Sequence, residues 1–415
     1  MRVLQVNKFL YGGAGAETVM FRTADLLRSD GHDVSFFAMQ DPRNVPCVES
    51  PYFPRGRYYG AEHGLVRRAR DAASSIYSLE ARSALRRLVR DRRPTVAHLH
   101  NVYHQLTLSV VDELAAHRIP IVMTLHDYKP VCPSYVLYTE GAPCHRCVTS
   151  HPGHAIAHRC VKGSRAASAV AAAEALLART RKMYRRIDAF ISPSRYLAQV
   201  MMDGGLPSTR MHVIPNFVAD DQLRDPLERR SRVSCAAIPM VLFVGRLEEV
   251  KGLRVLLTAA RKVAPLIEVV IVGDGPLAAA VRQAEIEGVV RYLGPCDWDA
   301  IAKLMDRACA LIVPSLWEEN CPMVVLEAGA RGCAVIASDR GGLAELVSHQ
   351  KDGLLVPAGE AEACAQAMVT LGRDVALAER LGQARHARIV AQNTPATYLD
   401  SLLGVYDEVL DGVPV

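Results

Sequence analysis

"RVLQVNKFLYGGAGAETVMFRTADLLRS", residues 2–29, sets a strand, a turn and a helix signal one after another. Its first residues read as a short apolar strand, Gly12, Gly13 and Gly15 as a turn, and "TVMFRTADLLRS" as a helix ending near Gly31. "DVSFFAM" follows as the next strand. That is a βαβ unit, the building block of a doubly wound parallel sheet. Working outward, "VAHLH", "IPIVMTLH", "AFISPS" and "MHVIP" supply further strands with helical patterns between them, giving a Rossmann-like domain over residues 1–218. The charged stretch 219–237, "ADDQLRDPLERRSRVSCAA", has the composition of a linker. A second strand series, "MVLFVG", "EVVIVG", "VVRYLG", "CALIVPS", "CAVIAS" and "GLLVP", builds a second Rossmann-like domain over 238–394. Residues 395–415 hold one helix, "ATYLDSLLGVYDEVL", left over to pack elsewhere. The expected class is α/β with two doubly wound parallel sheets.

Totals bound the rest. With 415 residues, half of them hydrophobic, the chain buries two or three cores. No apolar run reaches the roughly 18 residues that span a bilayer, and Met1 leads straight into a strand pattern, so a cytoplasmic location is expected. The net charge of +5 is modest, but arginines crowd between Arg55 and Arg93. Such a run is first a solvated face and second an attraction for phosphate or acidic lipid, which would suit the inner face of a membrane.

Ligands of open parallel sheets bind outside the carboxyl ends of the strands. After "MVLFV" come Gly245 and Arg246, with Lys251 opening the next helix; after "EVVIV" comes Gly273-Asp274-Gly275-Pro276. After "CALIV" the run "SLWEENCPMVVLEAGARG" sets Glu318, Glu319 and Glu327 among apolar residues, with a helix N-terminus expected near Met323 and Glu327 in its first turn. Gly341 and Gly342 follow "CAVIAS". A guanidinium, an ammonium and helix amides suit phosphates, and buried carboxylates suit sugar hydroxyls. In the first domain His126 and Asp127 follow "IPIVMTL", and His100 and Asn101 follow "VAHL", beside the Gly12–Gly15 turn. The Asp297–Asp299 "DWD" is read as a helix cap rather than a metal motif.

With these residues in hand, the sequence resembles the retaining glycosyltransferase family 4. The ordered motifs are "GGAGAE", "TLHD", "SPSRYL", "IPN", "FVGRLEEVKG", "VGDGP", "PSLWEEN…VLEAGARG" with seven residues between Glu319 and Glu327, and "ASDRGGLAELV". The resemblance implies the GT-B fold, its two domains facing a central cleft, with the last helix packing back on the first domain. It implies transfer of a sugar from a nucleotide-diphosphate donor, UDP-linked by preference, to a hydroxyl of a polysaccharide, glycolipid or natural-product acceptor. Arg246 and Lys251 would hold the diphosphate and Glu327 the ribose. Glu319 and the backbone of Asn320, Cys321, Pro322, Met323 and Val324 would hold the sugar, with Gly13, Gly273 and Gly275 also on the donor side. His126 would lie near the anomeric centre, with Gly12, Gly13, Asn101 and Asp127 toward the acceptor. Catalysis would need neither metal nor cofactor, and no nucleic acid is expected as a partner. Asn320-Cys321-Pro322 departs from the family's Gly-Phe-Gly, and proline offers no amide hydrogen. Two other readings stand beside this one: a nucleotide-sugar epimerase of the same fold, and a nucleic-acid or scaffold protein using the arginine segment.

Eleven cysteines in a cytoplasmic chain read as thiols or metal ligands. Cys132, Cys144, Cys147 and Cys160 cluster in an insertion at about 130–162, a C-x-x-C pair flanked by single cysteines. The pattern closes a structural zinc site with no open position, or else leaves reduced thiols or a redox bridge. His145, His151, His154 and His158 are alternative ligands.

Overall fold

The computed structural model describes residues 1–12, 15–56, 65–224 and 238–412, with 65–70 as backbone only. Gly13, most of the expected linker (225–237) and the side chains of Arg67, Arg68 and Arg70 lie outside the described residues.

Two six-stranded sheets carry the chain. The first consists of β1 (Arg2–Val6), β2 (Asp33–Phe37), β3 (Val96–Leu99), β4 (Ile121–Thr124), β7 (Ala189–Ser192) and β8 (Met211–Val213), in the order β2-β1-β3-β4-β7-β8. Between β4 and β7 lies a two-stranded ribbon, β5 (Tyr138–Thr139) with β6 (Ala142–Pro143). The second sheet is β9 (Met240–Val244), β10 (Glu268–Val272), β11 (Arg291–Gly294), β12 (Ala310–Val313), β13 (Ala334–Ser338) and β14 (Leu354–Val356), ordered β11-β10-β9-β12-β13-β14. Within both sheets every pair is parallel. Strand order reverses between β1 and β3 in the first and between β9 and β12 in the second. Those are the switch points where such sheets open a crevice.

Parallel strands covered on both faces read as continuous apolar runs, and their side chains divide by parity. In β9 and β10, Val241, Phe243, Val269 and Ile271 enter one core while Met240, Leu242, Val270 and Val272 enter the other. Register follows, with Val241 opposite Val269 and Phe243 opposite Ile271.

The first helix starts at Gly15, earlier than the apolar pattern indicated, and runs to Ser29. Glu17 explains the extension: it lies in the first turn, buried, and its Oε1 accepts from Asn7 Nδ2 at 3.2 Å. Asp297 caps the helix Trp298–Arg307 as read, its carboxylate accepting from the Ala300 amide at 2.8 Å.

The chain divides into two compact units, Met1–Ile214 with Tyr398–Val415, and Pro215–Thr397. The helix Pro395–Asp411 is tied into the first by its tyrosines. Thr23 donates to Tyr398 Oη at 3.1 Å, and Tyr406 Oη pairs with His98 Nδ1 at 2.7 Å.

Part of the arginine-rich face is engaged within the chain. Arg82 and Arg86 both bond the buried Glu113, at 2.8 and 2.7 Å, and Arg92 pairs with Glu49 at 2.9 Å. The Arg86 and Arg82 hydrogen bonds overcome burial and hold the Glu113 carboxyl down at about 2. No helix among the described residues is long and apolar enough to cross a membrane.

Candidate functional site

At the carboxyl ends of the second sheet, loops from four strands are stitched together through their backbones. The loop after β9 meets the loop after β10 where Gly245 N donates to Val272 O (3.1 Å) and Leu247 N to Asp274 O (2.9 Å). It meets the loop after β12 where Leu316 N donates to Val250 O at 2.8 Å. The turn after β13 joins by Gly342 N to Glu319 O, 2.7 Å, and by Arg340 Nη1 to Leu316 O, 2.5 Å. Two glycines permit these approaches. A Cβ on Gly252 (φ +72°) would stand 1.8 Å from Pro314 O, and one on Gly342 would stand 1.7 Å from Asn320 O. No side chain fits there. Residues 245–252, 273–276, 314–323 and 341–342 therefore form one edge.

That edge carries paired charge. Lys251 closes a short 3-10 turn, Glu249–Lys251, and the helix proper opens only at Leu253. Its ammonium donates to Glu319 Oε1 at 2.6 Å, and Ser315 Oγ donates to the same oxygen at 2.7 Å. The Trp317 ring lies 5.1 Å from the ammonium. Glu319 and Glu318 are buried, and Glu319 is held by charge-assisted hydrogen bonds, as a buried carboxylate must be. Arg246 is 73% exposed and pairs with Glu248 at 2.5 Å.

The helix expected near Met323 is there, Met323–Ala330, entered through Pro322. Pro322 fixes the start, so Glu327 falls in the second turn rather than the first, and it is half-buried. The Cys321 side chain belongs to a small core with Val218, Leu326, Ala330 and Ile389, where burial pushes its thiol up to about 12. Its carbonyl accepts from Asn216 Nδ2 at 3.3 Å.

In the first unit the ends of β3 and β4 carry a set of imidazoles, with Lys8 after β1 near enough to His126 and Asp127 to act on both. His98, His100 and His126 stack, with ring centroids 4.6 and 5.1 Å apart. His98 bonds Tyr406 and Thr124, each at 2.7 Å; His100 bonds Gln5 Oε1 and His126 Nε2, each at 2.8 Å. Burial drives all three imidazoles well below their ordinary range, to about 3 for His98 and His126, so they are uncharged at neutral pH. Burial also raises the Asp127 carboxyl, whose Oδ1 accepts from Lys129 N at 2.9 Å. The Asn101 amide donates to Asn7 Oδ1 at 3.0 Å, which ties the loops after β3 and β1 together. Gly12 is exposed with open space around it.

Sequence reading passed over several of these groups. His98 and Tyr406 lie 308 residues apart, and Gln5 and His100 lie 95 apart. Only the strand parity of "VAHLH", which sends His98 and His100 to one face, hinted at the stack. Ser315 and Trp317 were visible beside Glu319 but carry no motif of their own.

Two family models match: one described as glycosyltransferase family 4 over residues 13–222, and one as glycosyl transferases group 1 over 238–374. Among curated relatives, a D-inositol 3-phosphate glycosyltransferase from Jonesia denitrificans is 32% identical over 48% of this chain and 51% of its own. The chain spans about half the length of the curated relatives it matches. Among solved structures, a sucrose-phosphate synthase from Thermosynechococcus elongatus superposes with a TM-score of 0.70 at 18% identity, covering 99% of each chain. HepE from Anabaena, solved with UDP, gives 0.66 at 18% identity, over 98% of this chain and 100% of that one. At such identity these likenesses speak to the fold, which is that of GT-B proteins.

Proposed function

This chain belongs to glycosyltransferase family 4, and from that premise we propose that it transfers a sugar from a nucleotide-diphosphate donor to a hydroxyl acceptor, with retention at the anomeric carbon. The observation that carries the reading is the four-loop edge of the second unit, which gathers Arg246, Lys251, Glu319 and the start of the Met323 helix at a strand-order switch point.

The donor diphosphate draws the Arg246 fork and the Lys251 ammonium away from Glu248 and Glu319, and the amides that open the Met323 helix add partial positive charge. Glu319, relieved of Lys251, then accepts from hydroxyls of the transferred sugar, and Glu327 from the ribose. In the chemical step the acceptor oxygen bonds to the anomeric carbon as the bond to the diphosphate breaks on the same face. The acceptor's proton passes to the departing phosphate oxygen. Stabilising that developing negative charge is the main work of Arg246 and Lys251, and it needs no metal. His126, being neutral, supplies a hydrogen bond rather than a charge. UDP-sugars are the favoured donors, consistent with HepE, whose structures hold UDP and UDP-glucose. The acceptor is assigned to the first unit, near His126, Asp127 and Asn101, and belongs to polysaccharide, glycolipid or natural-product synthesis at or near the cytoplasmic membrane face.

A thermal-shift panel of UDP-, GDP- and ADP-sugars tests the donor, because a ligand bound only by the folded state raises Tm by mass action. One nucleotide series should stabilise the protein, and that donor should then release its nucleotide only with a hydroxyl acceptor present. No shift from any nucleotide sugar would overturn the reading. Isomerised sugar without transfer would replace it with an epimerase.

A further inference from the structure

The insertion between β4 and β7 is independent of the donor edge. Its ribbon turns at Glu140 and Gly141, both with positive φ (+53° and +80°), the geometry of a tight two-residue hairpin. Cys144 follows the second strand directly, its amide donating to Leu137 O at 2.7 Å. Cys147 falls on the short helix Arg146–Thr149, so the C-x-x-C pair spans hairpin exit and first helical turn. Cys132 approaches from the segment after β4, and the Cys160 amide donates to Ala155 O at 3.0 Å. All four cysteines line one small, partly enclosed cavity of about 10 Å³, with Tyr138 and Thr139. That is room for about one atom.

We propose that this cavity is a structural site for one thiophilic divalent cation, zinc by ligand chemistry, held by Cys132, Cys144, Cys147 and Cys160. Four thiolates make the closed tetrahedral set that zinc takes in structural sites. Each thiol gives up its proton to solvent on binding, and the ion bonds four sulfurs with no oxidation or reduction. Among the described residues no group of three or more His, Cys, Asp or Glu is already arranged around a metal position. Binding therefore turns the thiol rotors into the cavity they line. Their present partners suit an outer shell: Ser134 Oγ lies 3.3 Å from Cys132 Sγ, and Thr139 Oγ1 lies 3.6 Å from Cys160 Sγ. Arg179 draws the two halves together, its Nη2 donating to Val131 O (3.4 Å) and Cys147 O (2.5 Å). The neighbouring histidines do not line the cavity: His158 pairs with Glu140 at 3.0 Å, and His151 stacks on His154 at 4.7 Å. The ion would brace the segment that starts six residues after His126.

The test uses full-length protein purified without a histidine tag or chelator. Elemental mass spectrometry should find about one zinc per chain, and Cys144→Ser with Cys147→Ser should bring it below about one tenth. Cys364→Ser, in the second unit's core, should retain the zinc. A strong chelator should lower the wild-type Tm by about 5 °C or more, with zinc restoring it. Should the double variant fail to fold, cobalt reconstitution of the wild type should give the thiolate-to-metal absorption of a tetrahedral site. Wild-type protein with less than about a tenth of a zinc, unresponsive to added zinc or cobalt, would overturn the proposal. So would an intramolecular disulfide among these four cysteines in the purified protein.

Discussion

Two sheet edges built on one plan carry opposite chemistry. In the first unit the strand ends present stacked imidazoles kept neutral by burial and bonded to one another, to Gln5 and to Tyr406. In the second they present an ammonium and a guanidinium, each paired with a carboxylate. The same parallel topology supplies both edges, so the difference lies in which residues occupy the strand ends. The imidazoles of one edge give hydrogen bonds that do not answer to pH near neutrality. The other holds its charge in ion pairs.

The largest effect should come from breaking the charged edge. Lys251→Ala should lower turnover about a thousand-fold, the scale of losing one group that stabilises developing negative charge, as steady-state kinetics would show. Gly342→Ala should destabilise the second unit by about 3 kcal/mol in urea unfolding, because the new methyl meets the Asn320 carbonyl and the stitched loops must part. His126→Ala should slow turnover about 100-fold, the scale of losing one hydrogen bond to the transition state, while leaving nucleotide affinity unchanged, which separates the two edges by function.

The pH dependence sharpens the contrast. His98, His100 and His126 have folded values below their unfolded value of about 6.5, so the stability they confer is complete above that pH. It is lost as pH falls, because the unfolded chain binds protons that the folded chain refuses. Each contributes a slope of about 1.4 kcal/mol per pH unit below about pH 6.5. Chemical denaturation at several pH values should show it, and His98→Gln should flatten it by about one proton. Glu113, also depressed, should add an acid loss only below about pH 4.5. The smallest effect is expected at Asp297→Ala, about 1 kcal/mol from a lost helix cap and no change in turnover, measured by thermal unfolding.

The strands of both sheets were legible because parallel strands covered on both faces leave uninterrupted apolar runs with glycine-marked ends. The residues of the charged edge were legible too, since topology alone sends those loops to one side. What each residue does there was not. Lys251 and Glu319 are 68 positions apart, and their bond depends on loop stitching that no local pattern records. Glu327 was placed a turn too early although the helix start near Met323 was read correctly: from that start it lies beyond the first turn. The arginine run was legible as an outward-facing surface, and Arg86, Arg87, Arg90, Arg92 and Arg93 are exposed; that Arg82 and Arg86 also bond Glu113 on another helix was not legible. Tyr406 reaches His98 from the last helix, beyond any motif.

The most direct test of the account is calorimetric titration of UDP into the wild-type protein and into the Arg246→Ala, Lys251→Ala double variant at one ionic strength. Two charge-assisted contacts should make the variant at least about 100-fold weaker, with its unfolding still cooperative. Equal affinity in a folded variant would contradict the claim that this edge holds the diphosphate.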